Sequence, residues 1–235
     1  MELFRTVSDT KRTFYALHTR PINTIYRRVV EELMVEMHLL SVNVDFTYNP
    51  VYALGVVTTF DRFMEGYKPE RDKESIFNAI CQAVEQESQR YKNDAERLKS
   101  VAQSLPINDL VAWLSQTQPL QQDGELQAQL QAIANNPNFK YSRLFAIGLF
   151  SLLEVSDPEL VKDEKQRTEA LKAIAEGLHL SYDKLSKDLD LYRSNLDKIA
   201  QALIVMADML SADRKKREQR QQQSNTPVAP PAANE

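Results

Sequence analysis

The chain has 235 residues, of which 43% are hydrophobic and 26% charged, which fits a folded core rather than a disordered chain. Five glycines in this length are too few for the many tight turns of a strand-rich fold. A net charge of −4 gives no global positive field to draw in nucleic acid. One cysteine and three histidines exclude an internal disulfide, and no Cys/His metal site is expected. The expected class is therefore all-α: a compact multi-helix bundle with a long C-terminal coiled-coil-like helix.

The chain turns charged at Glu2 and Arg5, so no apolar secretory segment is expected. Ser8 or Asp9 is expected to cap a short first helix ending near His18. Pro21 suits the first turn of a second helix, in which Ile22, Tyr26, Val29, Leu33, Met37 and Leu40 recur at steps of three and four. Asn49 and Pro50 together signal a third start. Residues 51–63 are apolar on most sides and read as a buried central helix, closed by Gly66.

Residues 72–85 form the next amphipathic segment, with Ile76, Phe77, Ile80 and Val84 on one face. Further helices are expected over 88–105, from Pro106 through Trp113, and over 125–134. Residues 141–153 are the most apolar stretch, yet fall far short of the ~20 residues that span a bilayer. Asp157 and Pro158 start a helix expected to run to about Glu176, with Gly177 as its stop.

The last helix begins after Ser181. Its positions Tyr182, Leu185, Leu189, Tyr192, Leu196, Ile199, Leu203, Met206 and Leu210 alternate steps of three and four, a heptad seam over about four heptads. The seam serves either a core helix packed on the chain's other helices or a coiled coil with a partner chain. Periodicity does not choose between them. The divisions expected are a helical domain over 1–180, the long helix over 181–220, and a disordered tail over 221–235, rich in Gln, Pro, Ala and Asn.

No phosphate-binding glycine loop, dinucleotide fingerprint, HExxH pair or nucleophile elbow occurs. The chain is expected to be no enzyme, with no catalytic, cofactor or metal residues and no small-molecule substrate. Cys81, Trp113 and Tyr67 read as packing residues, and His38 as a satisfied histidine beside the core. The basic residues Arg214, Lys215, Lys216 and Arg217 read as a solvated tail or as a contact with a protein or an anionic lipid surface. No hydrophobic face is seen to accompany them, as an interfacial helix requires.

Four runs carry a resemblance: TVSDTKR from Thr6, HTRPINTIYRRVVEELMVEMHLL from His18, YALGVVTTFDRFMEGY from Tyr52 and DKESIFNA from Asp72. Over these the chain resembles the thylakoid-formation protein family of oxygenic phototrophs, tightly over residues 5–85 and more loosely to about 210. The resemblance implies a cyanobacterial member and a non-enzymatic factor in photosystem II biogenesis, photosystem II repair and thylakoid membrane organisation. It further implies a position on the cytoplasmic side, peripheral to the thylakoid membrane, and an FtsH-type membrane protease complex as partner. The alternative expectation is a peripheral membrane-organising protein that binds anionic lipid directly. The family motif matches at Arg20, Pro21, Arg27, Arg28, Glu31 and Glu32, and of these Arg20, Arg27 and Arg28 are candidate interaction residues alongside the basic run.

Overall fold

A computed structural model describes residues 5–224. Among them are eleven helices and no strand. They are α1 (Val7–Leu17), α2 (Thr24–Ser41), α3 (Pro50–Phe63), α4 (Asp72–Ala83), α5 (Ser88–Ser104) and α6 (Ile107–Leu114), then α7 (Gly124–Ala134), α8 (Arg143–Ser156), α9 (Pro158–Lys162), α10 (Glu164–Gly177) and α11 (Tyr182–Ser224).

The helix starts follow local capping chemistry. Thr6, rather than Ser8 or Asp9, caps α1: its hydroxyl accepts from the Asp9 amide while the Asp9 carboxylate accepts from the Thr6 amide. This reciprocal box satisfies two end donors at once. Pro21 stands outside α2, because Asn23 accepts from the Ile25 amide and starts the helix after it. Asn49 caps α3 with Pro50 at its first position, as the sequence indicates. The single helix expected over 158–176 is two. Asp163 takes an extended backbone and accepts from the Gln166 amide, which ends α9 and starts α10.

The chain divides into a unit that runs to Ser194 and a second that begins at Asn195. In the first, α3 packs most extensively on α8 and α5. The α3–α8 crossing is made by two glycines. A Cβ on Gly55 would lie 1.7 Å from the Leu144 carbonyl oxygen, and one on Gly148 would lie 2.0 Å from that of Val51. Backbones that touch this closely let Leu54, Phe145, Leu149 and Leu152 bury fully around them. Each such side chain contributes roughly 1.5–3 kcal/mol.

Gly177 has a similar use, since a Cβ there would meet the Ser115 carbonyl oxygen at 2.0 Å. The left-handed residue after α10 is His179 (φ 55°), so Gly177 is required for close approach rather than as the left-handed stop. The first turns of α11 complete this core. Leu185, Leu189 and Tyr192 are buried, and the Tyr192 ring meets Phe63 edge-on at 5.8 Å.

In the second unit α11 continues to Ser224, past the boundary expected at 220. Residues 225–235 of the expected tail lie outside the described residues. The seam positions Leu196, Ile199, Leu203 and Met206 are partly exposed and Leu210 is exposed.

Candidate interaction site

The wet face of α2 lines an open groove of about 1070 Å³, together with Lys11 of α1 and residues 140–143 at the start of α8. Three ion pairs build its walls. Lys11 Nζ donates to Glu31 Oε2 at 2.8 Å, Arg28 Nε to Glu32 Oε1 at 2.9 Å, and Arg143 Nη2 to Glu36 Oε2 at 2.6 Å. The Tyr15 hydroxyl also donates to Glu31, at 2.6 Å. At the far wall the Tyr141 hydroxyl donates to Asp188 Oδ2 at 2.8 Å.

These partners set the protonation states. Hydrogen bonds from Lys11 and Tyr15 hold the Glu31 carboxyl below its ordinary range. Burial, reinforced by Glu31, pushes the Tyr15 hydroxyl up to about 12. Burial raises the Glu36 carboxyl despite the pull of Arg143. Burial and Asp188 raise Tyr141.

The acids of the groove are thus each matched, whereas two exposed cations on its rim, Arg27 and Lys140, have no ion-pair partner among the described residues. Between the charges lie Val35, Leu40 and Leu39, the last 57% exposed. An apolar floor with residual positive charge suits an acidic, partly apolar segment of another molecule.

The structure separates the sequence candidates. Arg27 and Arg28 share the groove. Arg20 instead pairs with Asp72, a residue only 2% exposed at the start of α4, and so ties the α1–α2 connection to the core. The basic run of residues 214–217 is exposed on the second unit. Lys140, Arg143 and Glu36 were not legible as site residues, since α2 and the α8 start are about a hundred positions apart and no local pattern joins them.

The packing residues fall as read. Cys81 is buried, and burial pushes its thiol up to about 12. His38 Nδ1 lies 2.9 Å from the Thr10 hydroxyl. Tyr67 meets Tyr26 edge-on at 5.1 Å and Trp113 is buried. Among the described residues there is no group of three or more His, Cys, Asp or Glu placed to hold a metal ion, and no helix long and apolar enough to cross a membrane.

The sequence profile of the thylakoid formation protein family matches residues 6–221. "Protein Thf1" of Trichormus variabilis is 87% identical over 231 residues, covering 98% of this chain and 99% of its own. That of Nostoc punctiforme is 79% identical over 235 residues, covering all of both chains. A solved structure of Psb29 superposes with a TM-score of 0.78 at 47% identity, over 91% of this chain and 99% of the other. With a family profile spanning nearly its whole length and relatives 79% and 87% identical over essentially all of both chains, the chain belongs to the thylakoid formation protein family.

Proposed function

We propose that the protein is a non-enzymatic accessory factor for photosystem II biogenesis and repair and for thylakoid organisation. It acts peripherally on the cytoplasmic side of the thylakoid membrane, by binding and stabilising FtsH-type membrane protease complexes. Family membership supports the thylakoid setting. The observation that carries the binding role is the groove, where exposed Leu39 lies between matched ion pairs and the two rim cations Arg27 and Lys140. Its open form and paired acids suit recognition of a surface segment.

Tagged protein purified from solubilised thylakoids tests this reading. The wild type is expected to enrich the protease over an untagged control, and a variant carrying both Arg27→Glu and Lys140→Glu to lose that enrichment. Reversal of two rim charges slows encounter with an acidic partner and leaves the buried core untouched. Absence of protease from the wild-type eluate would overturn the partner, and equal enrichment by the variant would overturn the groove. In a strain lacking the gene, protease abundance under high light is expected to fall by more than its transcript does.

A further inference from the structure

We infer that α11 carries a membrane-surface anchor, in which residues 199–210 enter the interface of an anionic bilayer while Arg214, Lys215, Lys216 and Arg217 lie on its headgroups. This rests on the peripheral placement proposed above and names the means of attachment, which is separate from the groove.

Residues 199–210 read IAQALIVMADML, with Gln201 and Asp208 the only polar positions. Asp197, Gln201, Asp208 and Lys215 follow one another at steps of four, seven and seven, which places them along one narrow strip of the helix. The rest of the circumference is apolar. Part of it faces solvent: Ile204 is 62% exposed, Val205 52%, Met209 65% and Leu210 64%, while Ile199, Leu203 and Met206 are partly buried. A helix apolar around most of its girth belongs in a core or in lipid. The basic run itself carries no apolar residue, and the apolar surface lies in the segment before it. Ile204, Val205 and Met209 stand off the seam and widen the apolar arc far beyond it.

Length and charge choose the occupant. Twelve helical residues extend about 18 Å, well short of the ~30 Å hydrocarbon layer, so the segment lies within one interface and does not span. One turn later come four consecutive exposed cations, of which Arg214 is held by Glu218 at 3.1 Å. An apolar stretch that ends in a cationic cluster is complementary to acyl chains bordered by anionic headgroups.

A second copy of the chain fits less well. Leu185, Leu189 and Tyr192 are already buried. The seam that remains covers about two heptads, fewer than the three or four of a self-standing coiled coil. Any pairing through that seam leaves Ile204 and Val205 in water, and a parallel pair sets the two cationic clusters side by side.

The test is flotation of the full-length protein with vesicles of phosphatidylcholine, with and without phosphatidylglycerol. The wild type is expected to float with the anionic vesicles only, and less so as salt rises. Two variants are expected to float at least about tenfold less: one with Ile204→Gln, Val205→Gln and Met209→Gln, the other with residues 214–217 all changed to Ala. Both alter exposed side chains, and far-UV circular dichroism checks that the helix persists. A Met209→Trp variant is expected to show a blue shift of its added emission only with anionic vesicles.

Failure of the wild type to float overturns the anchor, as does flotation indifferent to the Gln substitutions. A vesicle-independent blue shift accompanied by concentration-dependent dimerisation in sedimentation assigns the segment to a second copy instead. The two proposals fail separately. Capture of the protease without flotation sinks the anchor alone, and flotation by the Arg27→Glu, Lys140→Glu variant without capture leaves the anchor standing.

Discussion

The crossing of α3 and α8 gives the sharpest stability prediction. In Gly55→Ala the new methyl would lie 1.7 Å from the Leu144 carbonyl oxygen and 2.6 Å from its carbonyl carbon. Ordinary contact begins near 3.4 Å, so α8 must retreat by roughly 1.7 Å. The obstacle is helix backbone, which no rotamer change can move aside. The retreat loosens packing along the whole interface, so the cost stands at or above the upper end of overpacking, about 3–5 kcal/mol. Alanine's higher helix propensity returns about 1 kcal/mol. A net loss of about 2–4 kcal/mol follows, a large share of the ~5–15 kcal/mol of a typical domain. Gly148→Ala is expected to behave alike, because its methyl meets the Val51 carbonyl oxygen at 2.0 Å. The double variant should lose less than the sum, since either methyl alone already parts the helices. Gly124→Ala is the control: nothing lies within 4 Å of where its methyl would stand, and it should gain up to about 1 kcal/mol. Urea unfolding followed by circular dichroism reads all four. A Gly55→Ala or Gly148→Ala protein as stable as the wild type would refute the close-crossing argument.

Two further outcomes follow from buried polar groups. His18 and His38 are both buried, with Nδ1 atoms 3.0 Å from the Ser75 hydroxyl and 2.9 Å from the Thr10 hydroxyl, and burial depresses both pKa values below the unfolded 6.5. The unfolded chain therefore binds more protons near and below pH 6.5, so their contribution is complete above that pH and is lost as pH falls. Glu36, raised by burial, acts in the opposite sense above its unfolded 4.5. The urea midpoint should fall between neutral pH and about pH 5.5, and less so in a His18→Gln, His38→Gln variant; an equal pH response in both proteins would contradict the assignment. Arg20→Met should cost about 1–3 kcal/mol in the same assay, because it strips the buried Asp72 carboxylate of its main cation while Arg71, 4.0 Å away, and solvent at the half-exposed Arg20 site compensate in part. Stability unchanged by Arg20→Met would return Arg20 to the list of surface contacts.

The sequence and the structure agree where local chemistry decides the outcome. Asn49 before Pro50 and the apolar girth of residues 51–63 determine their element without help from distant residues. Disagreement appears where two local signals compete. Pro21 and Asn23 both offer a helix start, and the side-chain cap at Asn23 prevails. Asp157 and Asp163 are equally good caps six residues apart, so one apolar pattern becomes two helices. The groove lies beyond this kind of reading. Arg27 and Arg28 belong to it, but its opposite wall comes from residues 140–143, placed there by the packing of both α2 and α8 on α3 and by the Arg143–Glu36 pair.

The heptad seam of α11 separates what a period states from what it leaves open. The same alternation of three and four runs from Leu185 to Leu210, and a single helix carries all of it. At Leu185, Leu189 and Tyr192 the stripe is satisfied within the first unit, where Phe63 and its neighbours take it up. From Leu196 onward an identical period meets progressively more solvent, and the off-seam residues Ile204, Val205 and Met209 turn a stripe into an apolar cylinder. Periodicity measures the spacing of side chains along one face and is blind to apolar residues elsewhere on the circumference. It therefore yields "core helix or coiled coil" for a segment whose apolar surface runs well beyond a single seam. Leaving four large apolar side chains more than half exposed forgoes several kcal/mol of burial. Elsewhere the large exposed apolar side chains, such as Leu17, Leu39 and Val44, are scattered along other helices and loops, whereas here four lie within seven residues, and the adjoining cations of residues 214–217 make an anionic bilayer the surface that suits both.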